Sequence, residues 1–138
     1  MVDIKVYNAE QIGGCFTVIT TSKAKIMIDY GLPLPGAKHE QEDFDWEHDT
    51  VDAVFITHYH GDHVGKILDI PAPIPIFMGK TTKQIMLNIH KALVCIPKLK
   101  DEQEKWIGLL RSNRIEEVLN IKTTDDIDDD NVRTDRII

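Results

Sequence analysis

Val51–Ile56 (Val-Asp-Ala-Val-Phe-Ile) runs without a linker into a polar turn, Thr57-His58-Tyr59-His60-Gly61-Asp62-His63. The apolar run is too short for a core helix and rich in β-branched and aromatic residues. It therefore reads as a short strand, buried on both faces, whose end opens directly into the turn. Such a strand needs neighbours, and the preceding residues supply them. Ile4 and Val6 alternate with Lys5 and Tyr7, Cys15–Thr20 is rich in β-branched residues, and Lys25–Asp29 sets Ile26 and Ile28 on one face. Gly13-Gly14, Thr21-Ser22-Lys23 and the stretch holding Gly31, Pro33, Pro35 and Gly36 separate these runs.

Beyond the turn, residues 64–70 suit a short helix. Ile74–Met78 suits a strand that Pro71, Pro73 and Pro75 push towards a sheet edge. Thr81 with Gln84 resembles a capping box opening a helix over 82–96, with Ile85, Ile89, Leu93 and Ile96 as its apolar face. Asp101 with Glu104 offers a further helix start, with Trp106, Leu109 and Leu110 buried. Strands first, then alternating strand and helix, predict an α/β chain with a mixed sheet and helices on one face.

The 138 residues suit one domain, and the 42% hydrophobic and 28% charged content is that of an ordinary globular chain rather than a disordered one. No stretch approaches the roughly 20 apolar residues that span a bilayer. The opening Met1-Val2-Asp3-Ile4-Lys5 lacks the pattern of a signal peptide, and Cys15 and Cys95 form no framework, so a cytoplasmic location is expected. The net charge of −7 argues against broad attraction to nucleic acid or anionic membrane. Acids concentrate in two places. One holds Glu40, Glu42, Asp43, Asp45, Glu47 and Asp49, and is expected to be a solvated loop or short helix with His39 and His48 in water. The other holds Asp125, Asp126, Asp128, Asp129, Asp130 and Asp135. We divide the chain into residues 1–120 and an acidic, flexible tail, 121–138.

The turn carries the chemistry. His58-x-His60-x-Asp62-His63 puts three imidazoles and a carboxylate within six residues. These are donors preferred by zinc and related ions. In a tight turn His58 and His60 can aim at one point, and Asp62 and His63 at a second, with Gly61 letting the backbone reverse. That spacing suits two metals side by side, the arrangement that clamps attacking and leaving oxygens in hydrolysis.

Those residues resemble the hallmark H-x-H-x-D-H loop of metallo-β-lactamase-fold hydrolases, and Asp29-Tyr30-Gly31 resembles the family's strand-Asp-x-Gly motif. The resemblance runs over residues 1–90. It implies one half of a metallo-β-lactamase αββα sandwich. It also implies His58 and His60 on a first metal, Asp62 and His63 on a second, Asp62 catalytic in orienting the nucleophile, and Asp29 buttressing the loop. The cofactor implied is zinc, or manganese. Gln11-Ile12-Gly13-Gly14-Cys15 and Ile28-Asp29-Tyr30-Gly31-Leu32-Pro33-Leu34 look like the opening of RNA-processing exonucleases related to ribonuclease J, which implies RNA or another phosphodiester as substrate.

The family's later ligands have no match. His90 is the one histidine after His63 and falls inside an expected helix, and Arg136 stands where the Asp-His segment would need histidine. The chain therefore reads as half of a metal-dependent hydrolase, weak or inactive alone. The alternatives are a non-catalytic oligomeric remnant that binds metal or a partner, and a thioester or lactone hydrolase of the same fold. The strands carrying Ile4, Val6, Phe16, Val18, Ile26, Ile28, Val54 and Ile56 have helices for one side only. A homodimer through the bare sheet face, or a complementing second half, is thus expected.

Overall fold

The computed structural model describes residues 1–93, 108 and 119–123. Six strands form one sheet in the order β1 to β6: Asp3–Tyr7, Phe16–Thr20, Lys25–Ile28, Ala53–Ile56, Ile76–Met78 and Ile121–Lys122. The β1/β2 and β2/β3 pairs are antiparallel, whereas β3/β4, β4/β5 and β5/β6 are parallel. Helix α1 (Gly61–Val64) and a 3-10 turn (Ile67–Asp69) connect β4 to β5, and α2 (Lys80–Leu93) follows β5. The expected mixed α/β architecture is observed.

Register assigns the faces. Val18, Met27, Val54, Ile76 and Ile121 pair in sequence across five strands and so form one row on one face. All five are buried and belong to a single cluster with Val64 of α1, Ile67 of the 3-10 turn and Met86 and Leu87 of α2. Each such side chain contributes about 1.5–3 kcal/mol of burial. The opposite face carries the row Val6, Thr17, Ile28, Phe55 and Phe77, with Ile4, Ile19 and Ile26 in the adjacent one. It is partly open: Ile4 is 61% exposed, Val6 50% and Phe55 39%. Phe55 stacks on Phe77 with ring centroids 5.1 Å apart.

Several expectations change. The strand at Val51–Ile56 is not buried on both faces, because Phe55 points to the open side. Phe16, Val18, Val54 and Ile56 belong to the buried core, leaving Ile4, Val6, Ile26 and Ile28 of the anticipated bare face. Strand β5 is internal, because its prolines precede Ile76 and leave the N–H groups of Ile76–Met78 free for pairing, with β6 on its far side. Helix α2 starts at Lys80, and Gln84 Nε2 donates to Asn88 Oδ1, 3.0 Å away, rather than closing a box on Thr81. The buried residues of α2 are Met86 and Leu87, while Ile89 is exposed, so its inward stripe is out of phase with the Ile85–Ile89 one. Residues 121–122, placed at the head of the acidic tail, form β6. Ile96, the second helix with Trp106, Leu109 and Leu110, Cys95 and the aspartates from 125 onward lie outside the described residues.

The acidic segment is anchored, which its charge conceals. Phe44 is buried, its ring 4.5 Å from that of Trp46 and 6.5 Å from those of Phe16 and Tyr7. Trp46 Nε1 donates to the Tyr30 hydroxyl at 3.3 Å, and burial pushes the Tyr30 phenol above its ordinary pKa. His39 and His48 are exposed as expected, with His48 Nδ1 3.0 Å from the Asp45 carboxylate.

Met27, fully buried at the centre of the five-strand row, tests this core. Met27→Ala should lower unfolding free energy by about 2–5 kcal/mol, and Ile4→Ala, on the open face, by no more than about 0.5 kcal/mol in a monomer. Urea unfolding of the two variants measures the difference.

Candidate metal centre

Asp29 sits where β3 ends. Its φ of +59° is in the left-handed region, where Asp is one of the few tolerated non-glycine residues. Its backbone N–H still donates to Phe55 O (2.8 Å), so the chain turns without leaving β4. The turn carries the carboxylate to the end of β4, and the side chain is nearly buried there. Thr57 N–H donates to Oδ1 at 2.8 Å, Thr57 Oγ1 lies 2.9 Å from both oxygens, and His63 Nδ1 lies 2.8 Å from Oδ2. A carboxylate only accepts, so His63 Nδ1 carries a proton and its Nε2 faces away, 3.5 Å from Asp62 Oδ2.

The loop backbone is held as closely as its side chains. His60 O accepts from His63 N–H (2.9 Å) and Val64 N–H (3.0 Å), which makes α1 a single tight turn. The next three carbonyls are all taken by the far side of the fold. Gly61 O accepts from Leu32 N–H at 2.9 Å, Asp62 O from Gly14 N–H at 3.2 Å, and His63 O from Tyr30 N–H at 2.8 Å. Gly14 and Gly31 are themselves bridged by Gln41, whose Nε2 reaches the Gly14 carbonyl at 3.1 Å and the Gly31 carbonyl at 3.3 Å.

The glycine that this approach needs is Gly31, not Gly61. A Cβ on Gly31 would lie 1.9 Å from Asp62 O and 2.0 Å from its carbonyl carbon, whereas one on Gly61 would meet nothing within 4 Å. Gly61 opens α1 and has no positive φ, so the expected backbone reversal there is absent. Gly13, at φ +82°, presents bare backbone to Leu34 and to Asp62 Cβ.

The rings of His58 and His60 have centroids 4.8 Å apart, and those of His58 and His63 are 4.0 Å apart. The loop therefore gathers the three imidazoles, with Asp62 beside His63 and Asp29 behind. Imidazole and carboxylate suit zinc or manganese by donor type. Among the described residues, however, no group of three or more His, Cys, Asp or Glu side chains is set to hold one ion. Residues 58, 60, 62 and 63 thus offer the donor types such an ion takes without forming a closed ligand set among the described residues. His90 lies on α2, away from the loop in sequence and in element. Cys15 precedes β2 rather than lying in it, and its thiol lies within donating distance of Asn8 O (3.0 Å) and Gln11 O (3.2 Å).

Sequence reasoning singled out the loop and Asp29 but not Thr57 or Gln41, and it gave the glycine role to Gly61, whereas Gly31 is the one with no room for a Cβ. The Asp-x-Gly spacing was the available signal for Gly31. Gly31→Ala should destabilise the fold by about 1–3 kcal/mol and shift the backbone amide resonances of Asp62 and His63, with Gly61→Ala close to wild type in both. Thermal unfolding and amide spectra of the two variants check this.

Comparison with known proteins gives three matches. "Lactamase-like protein nscB" of Arthroderma gypseum is 33% identical over 67 residues, which is 48% of this chain and 21% of that protein. A crystal structure of a protein of unknown function from Enterococcus faecalis V583 aligns with 67% of this chain and 29% of its own, at 22% identity and a TM-score of 0.47. The six-stranded mixed sheet with its helices is consistent with one half of a metallo-β-lactamase fold. Residues 14–76, which hold Gly14, Asp29, Gly31 and the whole loop from Thr57 to His63, match the profile of the Metallo-beta-lactamase superfamily.

Proposed function

We propose that this chain supplies the metal-loop half of a metal-dependent hydrolase, with His58 and His60 facing one ion and Asp62 and His63 facing a second. The observation that carries the reading is the Asp29 carboxylate behind the loop. It bonds His63 Nδ1 at 2.8 Å and both donors of Thr57, the arrangement by which a carboxylate orients a metal-binding imidazole. A divalent ion, when bound, supplies Lewis acidity that polarises the scissile group and activates water near neutral pH. The protein's part is to hold the imidazole nitrogens in register, to keep Asp62 beside His63 and to fix the loop carbonyls so that the donors do not wander. In this reading Asp62 orients the nucleophile. A phosphodiester, as in RNA processing, is the substrate class favoured by the resemblance of residues 11–15 and 28–34 to ribonuclease J-like openings. Two donors to an ion fall short of the three protein ligands usual in catalytic zinc sites, so this reading needs further ligands from beyond the described residues.

Zinc and manganese content per chain, read by native mass spectrometry with and without chelator, tests the reading. Weak, chelator-labile binding is expected, lost in His58→Ala and His60→Ala and weakened about 10–100-fold in Asp29→Asn. Binding that is indifferent to all three substitutions would overturn it. Turnover of a generic phosphodiester and of RNA should be slight in the isolated chain.

The open sheet face favours assembly. Ile4, Val6 and Phe55 are exposed on one side of the sheet, and a second copy across a two-fold axis is the simplest cover. Sedimentation at micromolar concentration should give twice 15.7 kDa, and a compact monomer would sink this part of the reading.

A further inference from the structure

Thr57 is exposed, yet its hydroxyl is one of the most heavily engaged side-chain oxygens of the site. Oγ1 lies 2.9 Å from Asp29 Oδ1, 2.9 Å from Asp29 Oδ2 and 3.0 Å from His58 Nδ1. A threonine hydroxyl has one proton to give. It can go to the carboxylate or to the imidazole, and the two choices leave His58 in different tautomers. The carboxylate wins, because hydrogen bonds to an ionised acceptor are about twice as strong as neutral ones. With its proton on Asp29, Oγ1 can only accept from His58. Nδ1 of His58 must then carry hydrogen, and the electron pair is left on Nε2.

We infer that Thr57 is a positioning residue whose hydroxyl relays the Asp29 carboxylate to His58 and so fixes His58 as the Nδ1–H tautomer. One carboxylate thereby sets two imidazoles, His63 directly and His58 through one intervening oxygen. Both rings present Nε2, which is the nitrogen a metal would need from each. Packing does not account for Thr57, since an exposed residue at a strand end has little to bury. The consecutive positions 57 and 58 also make the relay compact, because the hydroxyl and the ring belong to neighbouring residues.

The tautomer is a property of the metal-free protein, so it can be measured apart from the proposed hydrolase function; only the affinity measurement rests on that reading. Imidazole nitrogen chemical shifts of the metal-free chain above the titration range of histidine report the tautomer. Wild type and Thr57→Ser should show His58 with hydrogen on Nδ1. Thr57→Val, which keeps the shape and removes the hydroxyl, should move His58 to a mixture dominated by Nε2–H, the form preferred by imidazole in water. Zinc affinity should fall about 10-fold in Thr57→Val and stay within about twofold in Thr57→Ser. A His58 that carries Nε2–H in the wild type overturns the inference whether or not the variants fold. So does a Thr57→Val protein with an unchanged tautomer, or a Thr57→Ser protein as impaired as Thr57→Val. An unchanged zinc affinity with the expected tautomer shift would leave the relay standing and refute the metal role of His58.

Discussion

The Asp29 carboxylate is the interaction on which the arrangement of the loop depends. It accepts from Thr57 N–H and stands at hydrogen-bond distance from the Thr57 hydroxyl and His63 Nδ1. Hydrogen bonds to a charged group are worth about 1.5–3 kcal/mol each, more than an ordinary neutral pair. The residue adopts a left-handed backbone to reach that position, and its amide remains in the β3–β4 ladder. Local strain, sheet pairing and loop order therefore meet in one residue. The loop carbonyls repeat the logic from the other side, with Gly14, Tyr30 and Leu32 donating to three consecutive acceptors.

What could be read in the sequence follows the range of the forces involved. Strands β1 to β4 were legible because alternation and β-branching are local, and the histidine loop because four donors in six residues are rare in any context. The edge of the sheet was not legible: three prolines before Ile76 look the same whether or not β6 lies beyond. The phase of α2 was misread because Ile85 and Ile89 form a stripe of their own, and only the tertiary contact chooses Met86 and Leu87 instead. Gly61 and Gly31 were confused for a related reason. A glycine inside a motif suggests a turn, whereas the close approach of Gly31 to Asp62 is set by segments far apart in sequence and shows locally only as the Asp-x-Gly spacing.

The segment from residue 39 to 49 shows how composition can mislead about order. Its acids are solvated, but Phe44 and Trp46 enter the aromatic group around Tyr30, and Gln41 ties the backbones of Gly14 and Gly31 together. Lys66 pairs with Asp43 and lies 5.5 Å over the Tyr30 ring, so the residue just past α1 is fastened to the same segment. The charge pattern describes the outer surface of this strap, and its few apolar side chains describe the inner one.

The separation in sequence of the groups that hold the loop has a kinetic consequence. Asp29 and Thr57 are 28 residues apart, and Asp29 and His63 are 34 apart. Closing chain segments of that length costs entropy before any of these bonds can form, and parallel pairing of β3 with β4 is the event that closes them. The β1–β2–β3 meander can assemble by local turns, but the loop cannot be ordered until the crossover through residues 29–52 has been completed. The order of the histidine loop is thus tied to the central parallel strand pair rather than to the turn in which its residues lie, and its contacts are expected to form after the local ones.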